Sequence, residues 1–433
     1  MDDTQTTDVA VVGGGLAGLA AAAYLARSGL RVNLFEKASS FGGRAATHVT
    51  GGFHFNLGPH ALYRKGEAAD VLRALGVTYT GGIPGASGGF AVNGGRKHAL
   101  PGGFMSLLTT SLLRPRAKIE TARLLASIGQ IDAAAFTKQS ARQWLESSIR
   151  SPEVRALVEA LFRLTTYANA PHELSAATAI TQLQGALSSN VLYIDGGWQT
   201  LVDGLRRCAE QAGATIVSSQ RVSAVDGGKT VAGLRFADGT GLKAPTVILA
   251  LGPREAAGLA SESACLSQWA ADASPVRAAC LDIALRQLPQ SRATFALGID
   301  QPLYLSVHSA VARLAPEGNA LIHVAKYLPG GTSDSAADER ELEGLLDLVQ
   351  PGWRDVLIER RFLPKMVVYN AVPTAARGGL AGRPGPQVAD IDGLYVAGDW
   401  VGSRGLLADA SLASARTAAK AIVERRRQSA LAA

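Results

Sequence analysis

The chain is poor in the residues that indicate a metal site, a secreted protein or a nucleic-acid partner. It has three cysteines, Cys208, Cys265 and Cys280, in 433 residues, and their spacing forms neither a disulfide framework nor a metal site. We therefore expect no bound metal and a reduced, cytoplasmic protein. Charged residues make up 18% of the chain, and the net charge of +7 is scattered. Since no basic surface is interleaved with aromatic residues, we expect no nucleic-acid partner.

Long apolar segments are absent as well. The longest apolar run extends from residue 16 to residue 26, which is too short to cross a bilayer. The acidic, polar start of the sequence leads directly into a predicted strand, so we expect no signal peptide. With 47% hydrophobic residues, however, the chain is able to bury a large core. Its length suggests roughly two or three domain-sized units.

The first motif is a glycine-rich loop between a strand and a helix. Residues 8–12, DVAVV, predict a buried strand, and Gly13, Gly15 and Gly18 follow it in GxGxxG spacing before an alanine-rich helix. Gly13 permits a tight turn, Gly15 lets the backbone approach a pyrophosphate, and Gly18 lets the helix pack on the strand. The free N–H groups at the start of the helix favour phosphate.

A second strand, RVNLFEK, contains an acid at the distance that ribose recognition requires. Glu36 is placed to accept hydrogen bonds from an adenosine ribose, and its charge would repel a 2′-phosphate. The unit therefore predicts dinucleotide binding rather than a merely structural glycine turn. By itself, this unit does not distinguish FAD from NAD.

Two short segments after this unit add to the prediction. In FGGR, residues 41–44, Arg44 is able to neutralise phosphate charge, although a solvated loop is the alternative. In LGPH, residues 57–60, the turn at Gly58 would bring backbone close to a flat ring.

The segment YVAGDWVGSRGLLADAS, residues 395–411, favours FAD. An apolar strand ends at Gly398 and Asp399, and a helix of small residues begins near Asp409. An NAD-binding domain has no need of a distant second nucleotide segment, whereas FAD extends well beyond the first loop. The start of the helix would stabilise the negative charge of a reduced flavin. We therefore predict FAD, bound non-covalently.

The order of these segments predicts an α/β fold in which a Rossmann-type FAD-binding domain is interleaved with an α+β substrate-binding domain. The predicted FAD-binding domain comprises residues 1–85, 191–255 and 366–433. The predicted substrate-binding domain comprises residues 86–190, including a helical segment, and residues 256–365.

The motifs resemble those of the FAD-dependent family that contains phytoene desaturases, protoporphyrinogen oxidases and monoamine oxidases. The resemblance runs from residue 8 to about residue 420, in the family's order, through VVGGG, FGGR, LGPH, YIDGGW, VILALGP and GLYVAGDWVG. It implies that FAD is contacted by Gly13, Gly15, Leu16, Ala17, Gly18, Glu36, Lys37, Gly43, Arg44, Gly58, Pro59, His60, Val222, Gly398, Asp399, Ala408 and Ser411.

The resemblance also implies individual roles for some of these residues. The backbone of Val222 would meet adenine, and Gly58 would lie beside the flavin. Asp399 would contact the pyrophosphate–ribityl region, and the backbone at Ala408 the flavin pyrimidine.

Two departures from the amine oxidases of this family point to an apolar substrate. Those enzymes place an aromatic residue before the last helix as half of a cage around the amine, and the matching residue here is Leu407. Leucine neither attracts a cation nor aligns a lone pair. No cysteine follows Cys280, so a thioether-linked flavin has no anchor. The chain is therefore nearest to phytoene-desaturase-like oxidoreductases.

Four residues are candidates for catalysis: His60, Tyr304, His308 and Lys365. His60 follows the turn beside the flavin, where it would act as a proton relay or simply pack. Tyr304 and His308 alternate with Ser306 in a predicted strand, so all three would share one face, which is either pocket or solvent. Lys365 would orient a water at the flavin, as a lysine does in amine oxidases.

The leading function is hydride transfer from an apolar, isoprenoid- or polyene-like substrate to flavin N5 in a desaturase-like reaction. Oxidation of an amine or of a protoporphyrinogen-type substrate is the alternative within enzymes. A non-catalytic flavin-binding scaffold is the alternative of another class. The sequence does not indicate an oligomeric state.

Residues 102–130 combine apolar runs with basic residues, including Arg114, Arg116, Lys118 and Arg123. They predict either a helix on a membrane surface or a core-facing helix with a solvated basic face. With the tail ERRRQ, residues 424–428, they make peripheral membrane contact a hypothesis.

Overall fold

The computed structural model describes residues 6–85 and 89–432. Within them the strands are β1 (Val9–Val12), β2 (Val32–Phe35), β3 (Thr47–Thr50), β4 (Phe53–Asn56), β5 (Leu62–Tyr63), β6 (Gly81–Gly82), β7 (Gly89–Asn93), β8 (Arg96–Ala99), β9 (Val191–Ile194), β10 (Thr215–Val217), β11 (Val222–Asp226), β12 (Gly233–Phe236), β13 (Gly241–Lys243), β14 (Val247–Leu249), β15 (Val276–Leu285), β16 (Phe295–Gly298), β17 (Leu303–Val307), β18 (Ala320–Tyr327), β19 (Leu357–Tyr369) and β20 (Leu394–Val396). The helices are α1 (Leu16–Arg27), α2 (Glu67–Ala74), α3 (Phe104–Thr109), α4 (Pro115–Ser127), α5 (Ala141–Ser148), α6 (Pro152–Thr166), α7 (Ala176–Ser189), α8 (Gln199–Gln211), α9 (Pro253–Leu259), α10 (Ala264–Asp272), α11 (Ser335–Val349) and α12 (Leu407–Ala432).

A five-stranded parallel sheet, in the order β10-β2-β1-β14-β20, carries the glycine-rich loop. Its central strands are apolar and buried because both faces are covered, as in other parallel sheets. Helices α1, α8 and α12 pack on one side, and the β11–β13 sheet with α9 and α10 on the other. Its strands come from distant parts of the sequence, and the predicted α/β class with a Rossmann-type sheet is confirmed.

A seven-stranded mixed sheet, in the order β19-β15-β18-β17-β16-β7-β8, forms the second layer. Along β15, Leu281 and Ile283 point to α11, where they pack on residues such as Leu342. Cys280 and Asp282 alternate with them and therefore point to the opposite face. We call that second side the inner face. Strand β19 continues to Tyr369, beyond the domain boundary predicted at residue 365.

A helical layer, α3 to α7, covers the remaining part of the molecule. It packs around large buried side chains, among them Trp144, Phe162 and Ile180. The helical character predicted for this region is confirmed. None of the helices in the two described ranges combines the length and the apolar character needed to cross a membrane.

Helix α12 is joined to α2 through a buried carboxylate. Asp409 lies in the first turn of α12 and is 7% exposed. Its Oδ1 accepts a hydrogen bond of 2.8 Å from the backbone N–H of Ala68 in α2. Burial, with added repulsion from Glu67 and Asp70, raises the pKa of Asp409 to about 6.

The raised pKa of Asp409 predicts that this contact lowers the free energy of unfolding by an amount that depends on pH. In the unfolded chain an Asp titrates near 3.9, so from about pH 4 to pH 6 the native state binds more protons and the free energy of unfolding falls as pH rises. Asp409→Asn keeps the acceptor for Ala68 and removes the charge. We expect it to raise the free energy of unfolding by about 2–3 kcal/mol at pH 8, and by much less near pH 4.

Denaturant unfolding of both proteins at several pH values measures this difference. Glu424→Gln, at an exposed carboxylate on α12 that is not among the charges acting on Asp409, serves as the control and should change little. A gain for Asp409→Asn that does not vary with pH would show that the charge is not its cause.

Candidate functional site

The glycine-rich loop has the geometry of a phosphate cradle. Gly13 adopts a φ of +108°, and a Cβ there would lie 2.6 Å from the carbonyl oxygen of Ala250. A Cβ on Gly18 would lie 1.9 Å from the Gly13 oxygen. At Gly15 the nearest atom is 3.8 Å away, and no side chain caps the start of α1. The first N–H groups of α1, from Leu16 onward, therefore remain available to an anion.

Glu36 follows β2 and fixes the shape of this loop. Its carboxylate accepts hydrogen bonds from the backbone N–H of Gly14 at 2.7 Å and of Ala38 at 2.8 Å. Its carbonyl oxygen accepts from the N–H of Gln220 at 2.9 Å, which brings the segment leading to Val222 alongside. Each carboxylate oxygen keeps a further lone pair for a ribose hydroxyl. The adjacent Lys37 is exposed.

Arg44 and Asp399 are brought together from opposite ends of the chain. The Arg44 Nη1 lies 2.5 Å from the Asp399 Oδ2 and 2.9 Å from the carbonyl oxygen of Val368. Asp399 is 2% exposed, and its Oδ1 accepts from the Asn370 Nδ2 at 2.8 Å. Gly43 lies directly before Arg44 in a turn with φ of +54°. Arg44 keeps part of its guanidinium exposed, so it remains able to meet a phosphate.

A second arginine beside Asp399, Arg383, was not among the residues predicted from the sequence. The Arg383 side chain donates to the backbone oxygens of Asp399 at 2.8 Å and Gly405 at 2.7 Å. Burial lowers the pKa of Arg383 to about 10, although the nearby Asp399 opposes the shift. Nothing in its local sequence indicates burial, which arises only when the segments before and after β20 pack together.

The tip of β20 is tied to α12 through a serine. The Ser414 Oγ accepts from the Gly398 N–H at 2.9 Å and donates to the Gly398 oxygen at 3.0 Å. Helix α12 begins at Leu407, slightly earlier than the predicted start near Asp409. Leu407 has a φ of +57°, which is strained for leucine. Ala408 and Ser411 lie half-buried in the first turns of the helix.

The turn at Gly58 lies against the inner face of the seven-stranded sheet. Gly58 has a φ of +78°, and a Cβ there would lie 2.7 Å from the Met366 Cε and 2.9 Å from the Cys280 Sγ. The next residue, Pro59, accepts a hydrogen bond of 3.2 Å from the hydroxyl of Tyr167. The His60 Nδ1 lies 3.0 Å from the Gly58 oxygen, and its Nε2 lies 3.0 Å from the Arg44 oxygen.

Apolar and aromatic side chains surround this turn. Ala278, Cys280, Tyr304, Ala325 and Tyr327 are buried on the inner face, and partly buried residues pack against them: Leu164, Tyr167, Phe295, Leu363, Met366 and Val368. We call these six residues the apolar wall.

The structure brings three of the four candidate catalytic residues into one region and leaves the fourth outside. The Tyr304 hydroxyl lies 3.4 Å from the His308 Nε2, and the charge of His60 acts on His308. Burial raises the pKa of Tyr304 well above its usual range and lowers the pKa of His308 well below its own. Lys365 is exposed on the edge strand β19, and its side chain makes no hydrogen bond within the described residues.

The expected alternation through His308 needs correction. Strand β17 ends at Val307, and His308 begins a short 3-10 turn, so its side chain does not continue the alternation of Tyr304 and Ser306. The His308 ring nevertheless lies beside Tyr304, whose hydroxyl is 3.4 Å from the His308 Nε2. The side chains of Tyr304, Ser306 and His308 are all buried, so none of them faces solvent.

Sequence reasoning missed a buried acid–base pair on the inner face. The Asp282 Oδ1 lies 2.6 Å from the His323 Nδ1, and both side chains are fully buried. Tyr193 stacks on His308 with ring centroids 3.7 Å apart. The available signal was Asp282 within the apolar strand AACLDIAL and His323 within the apolar part of ALIHVAKY, since such residues are seldom buried without a partner.

Comparison with known protein families identifies the group to which these features belong. The family described as flavin containing amine oxidoreductase matches residues 16–281, more than half of the chain. The chain belongs to this family. Membership confirms the predicted flavin oxidoreductase and its cofactor, FAD.

Individual proteins resemble this chain to different extents. A carotenoid 3,4-desaturase from Haloarcula japonica is 51% identical over 59 residues, which span 14% of this chain and only 12% of that protein. An oxidoreductase from Methanosarcina mazei superposes with a TM-score of 0.75 at 20% identity, over 95% of this chain and all of that one. Putrescine oxidase bound to putrescine gives 0.74 at 17% identity, over 97% and 99% of the two chains. At these identities the superpositions show the fold alone.

The contact between the Gly58 turn and the inner face predicts a specific steric penalty. Gly58→Ala combines a positive φ with overlap against Met366 and Cys280, whereas Gly76→Ala has a φ of +73° and nothing within 4 Å. Gly76→Ala should therefore cost only the backbone strain, about 1 kcal/mol. Gly58→Ala should cost about 1–3 kcal/mol more, because the sheet has to move. Denaturant unfolding of both variants measures this, and equal losses would mean that the turn does not press on the sheet.

Proposed function

We propose that this chain removes hydrogen from an apolar, isoprenoid- or polyene-like substrate in a desaturase-like reaction. The observation that supports this proposal most directly is the apolar wall around the Gly58 turn. An amphipathic or charged substrate would need polar partners there, whereas a hydrocarbon chain needs only a dry surface.

The contacts above support the proposed roles in cofactor binding. Gly13, Gly15, Gly18 and the start of α1 would hold the pyrophosphate, and Glu36 would hold the adenosine ribose. Val222 would meet adenine. Arg44 and Asp399 would meet the phosphate and ribityl region, and the first turn of α12 would meet the flavin pyrimidine. Bound FAD, held non-covalently, supplies the hydride acceptor.

The chain's own part in the reaction is to orient the substrate and to exclude water. Tyr167, Phe295 and Met366 from the apolar wall are large enough to confine a flat polyene against the turn. Leu407 packs into the neighbouring helical core instead of forming an aromatic cage. The relative that is 51% identical over 59 residues is named a carotenoid desaturase, and this name agrees with the proposed chemistry.

Amine oxidation is the second candidate, and the likeness to putrescine oxidase favours it. The absence of a cage residue at position 407 and the exposed position of Lys365 weigh against it. Oxidation of a protoporphyrinogen-type substrate has no specific contact in its favour. A non-catalytic flavin-binding scaffold would bind FAD but would be reduced by none of these compounds.

A spectrum of the purified protein followed by anaerobic mixing tests the proposal. We expect the visible absorbance of flavin in the protein as purified. Among carotenoid precursors, amines and porphyrinogens, we expect only the first group to bleach it. Bleaching by amines alone would overturn the desaturase assignment, and bleaching by no compound would favour the scaffold. Failure to bind FAD at all would refute the roles proposed for Arg44 and Asp399.

We further propose a cytoplasmic protein that touches the membrane through α3. Phe104, Met105 and Leu108 on this short helix are 75%, 67% and 52% exposed. The neighbouring helix α4 buries Ala117 and Thr121 but exposes Arg116 and Arg123. Apolar residues beside cations suit an anionic lipid surface, and a lipid-soluble substrate would enter from there. The tail contributes less, because two of its arginines are paired with Asp392 and Asp8.

Vesicle flotation at low salt measures this contact. We expect the chain to float with vesicles of phosphatidylcholine and phosphatidylglycerol. Replacing both Phe104 and Leu108 with Ser should weaken binding by about tenfold or more, because the apolar area that enters the bilayer is lost. Leu187→Ser, at a comparably exposed leucine on α7, is the matched control. If the unaltered protein ignores the vesicles, the membrane proposal is wrong.

A further inference from the structure

Polar residues form a row across the otherwise apolar inner face. Arg361 on β19, Asp282 on β15, His323 on β18 and Ser306 on β17 are direct cross-strand partners. Directly paired residues project to the same side of a sheet, so the four side chains stand next to one another. On β15 the row passes through Asp282, two residues after Cys280 and on the same face. Cys280 is the residue that contacts the Gly58 turn.

Three atoms in this region lack a hydrogen-bond partner within the described part of the chain. They are the Asp282 Oδ2, the His323 Nε2 and the His308 Nδ1, and all three residues are 0% exposed. The two histidine rings lie edge to face with centroids 4.5 Å apart. Unpaired buried polar atoms are costly and rare, so the His323 Nε2 and the His308 Nδ1, on adjacent rings, indicate a missing polar group. A buried water is able to donate to one ring and accept from the other.

A metal ion does not suit the same place. No set of three or more His, Cys, Asp or Glu residues has a metal-binding arrangement in residues 6–85 and 89–432. The Asp282–His323 contact also uses the Nδ1 of the ring and leaves Nε2 free, which is the arrangement that prepares a histidine to accept a proton.

The polar row and His308 lie near the Gly58 turn, which the flavin is proposed to face. His60, in that turn, is within electrostatic range of Asp282, His323 and His308. Tyr304 extends the network from His308 toward the apolar wall, and Tyr193 stacks on the other side of the same ring. The hydroxyl of Tyr193 lies 3.2 Å from the Ser306 Oγ, which connects it back to the polar row.

We propose that His323 and His308 hold a buried water between their rings and, with Asp282 bound to the far side of the His323 ring, form the proton-accepting site of the reaction. The inference rests on the proposed function, in which a substrate loses both a hydride and a proton. His323 receives the proton through the water, and Asp282 is a positioning residue that fixes the ring and balances its charge. Tyr304 and His308 form the path from the substrate side.

The step is balanced without any further reactant. One C–H bond of the substrate breaks with its electron pair, and this hydride goes to the oxidised flavin. The neighbouring C–H bond releases a proton, which passes by way of the water to the His323 Nε2. The electron pair left behind forms the new C=C bond. Amine oxidation would release a hydride and a proton as well, so the site would serve either substrate class.

The surrounding groups favour His323 as the residue that holds the proton. Burial lowers the pKa values of His60 and His308, whose rings are therefore neutral at neutral pH. His323, in contrast, is in direct contact with the carboxylate of Asp282. Arg361, Cys280 and the hydroxyls of Tyr193 and Tyr304 also face this region, and none of them is a base at neutral pH.

The pH dependence of the midpoint potential of the bound flavin tests the proposal without any substrate. Reduction places negative charge near the site, so the unaltered holoprotein should take up about one additional proton there, and the slope of its potential against pH should bend where this proton is taken up. Asp282→Asn and His323→Gln should remove this bend while FAD content stays unchanged. Asp338→Asn is the control, since it removes an equally buried carboxylate, paired with Lys326 at 2.9 Å, on the α11 side.

The rate of flavin reduction by whichever compound bleaches the absorbance provides a second measurement. Asp282→Asn should slow it by about 10²–10³-fold and shift its pH profile, with little change in KM. If no compound reduces the flavin, the proposed function fails, yet the potential measurement still decides whether the site takes up a proton. If Asp282→Asn does not retain FAD, His308→Asn, which leaves the ion pair intact, replaces it. Variants with the slope and rate of the unaltered protein would overturn the proposal.

Discussion

The carboxylate of Asp399 holds together segments that lie far apart in the sequence. Its ion pair with Arg44 joins residues separated by 355 positions, and Asn370 donates to the same carboxylate. Arg383 donates to the backbone oxygen of Asp399. A carboxylate that is 2% exposed is stable only if its charge and lone pairs are matched, so all of these segments have to reach their final positions together. The loop after β2, the end of β19 and the tip of β20 are thereby fixed around the cradle at Gly15. The geometry of the candidate cofactor site thus depends on this one anion.

The Gly58 turn provides the second junction, because it places the glycine-rich half of the molecule on the inner face of the seven-stranded sheet. Met366 and Cys280 lie so close to Gly58 that a Cβ there would overlap both side chains. On one side of this junction the surroundings are apolar, and on the other the Asp282–His323 pair is buried. A dry wall beside an isolated acid–base pair is a suitable environment for separating a hydride from a proton, since few other groups compete for either.

Several features of the site reduce stability. Asp409 is buried with a raised pKa, and Leu407 and Tyr167 adopt positive φ values. Among residues 6–85 and 89–432, polar atoms of Asp282, His323 and His308 lack hydrogen-bond partners. The α1 side of the parallel sheet carries such departures too, since the Tyr24 hydroxyl and the Trp198 Nε1 lack partners in the same ranges. Strain at a candidate site is typical of functional positions, where geometry is maintained at the expense of stability.

The sequence by itself determined the parallel sheet, the glycine-rich loop, the helical segment and the family, because each follows from local spacing or from motifs of consecutive residues. It also indicated Arg44, Gly58 and Asp399 individually. Only the tertiary structure decided that Arg44 pairs with Asp399, that Arg383 is buried beside them, and that Lys365 lies outside the region of His60 and His308. It likewise revealed Asp282 and His323, which lie on strands that become neighbours only in the folded sheet. The physical reason is that the burial and pairing of a side chain depend on which distant strands become neighbours in the folded sheet. Local sequence patterns do not specify these neighbours.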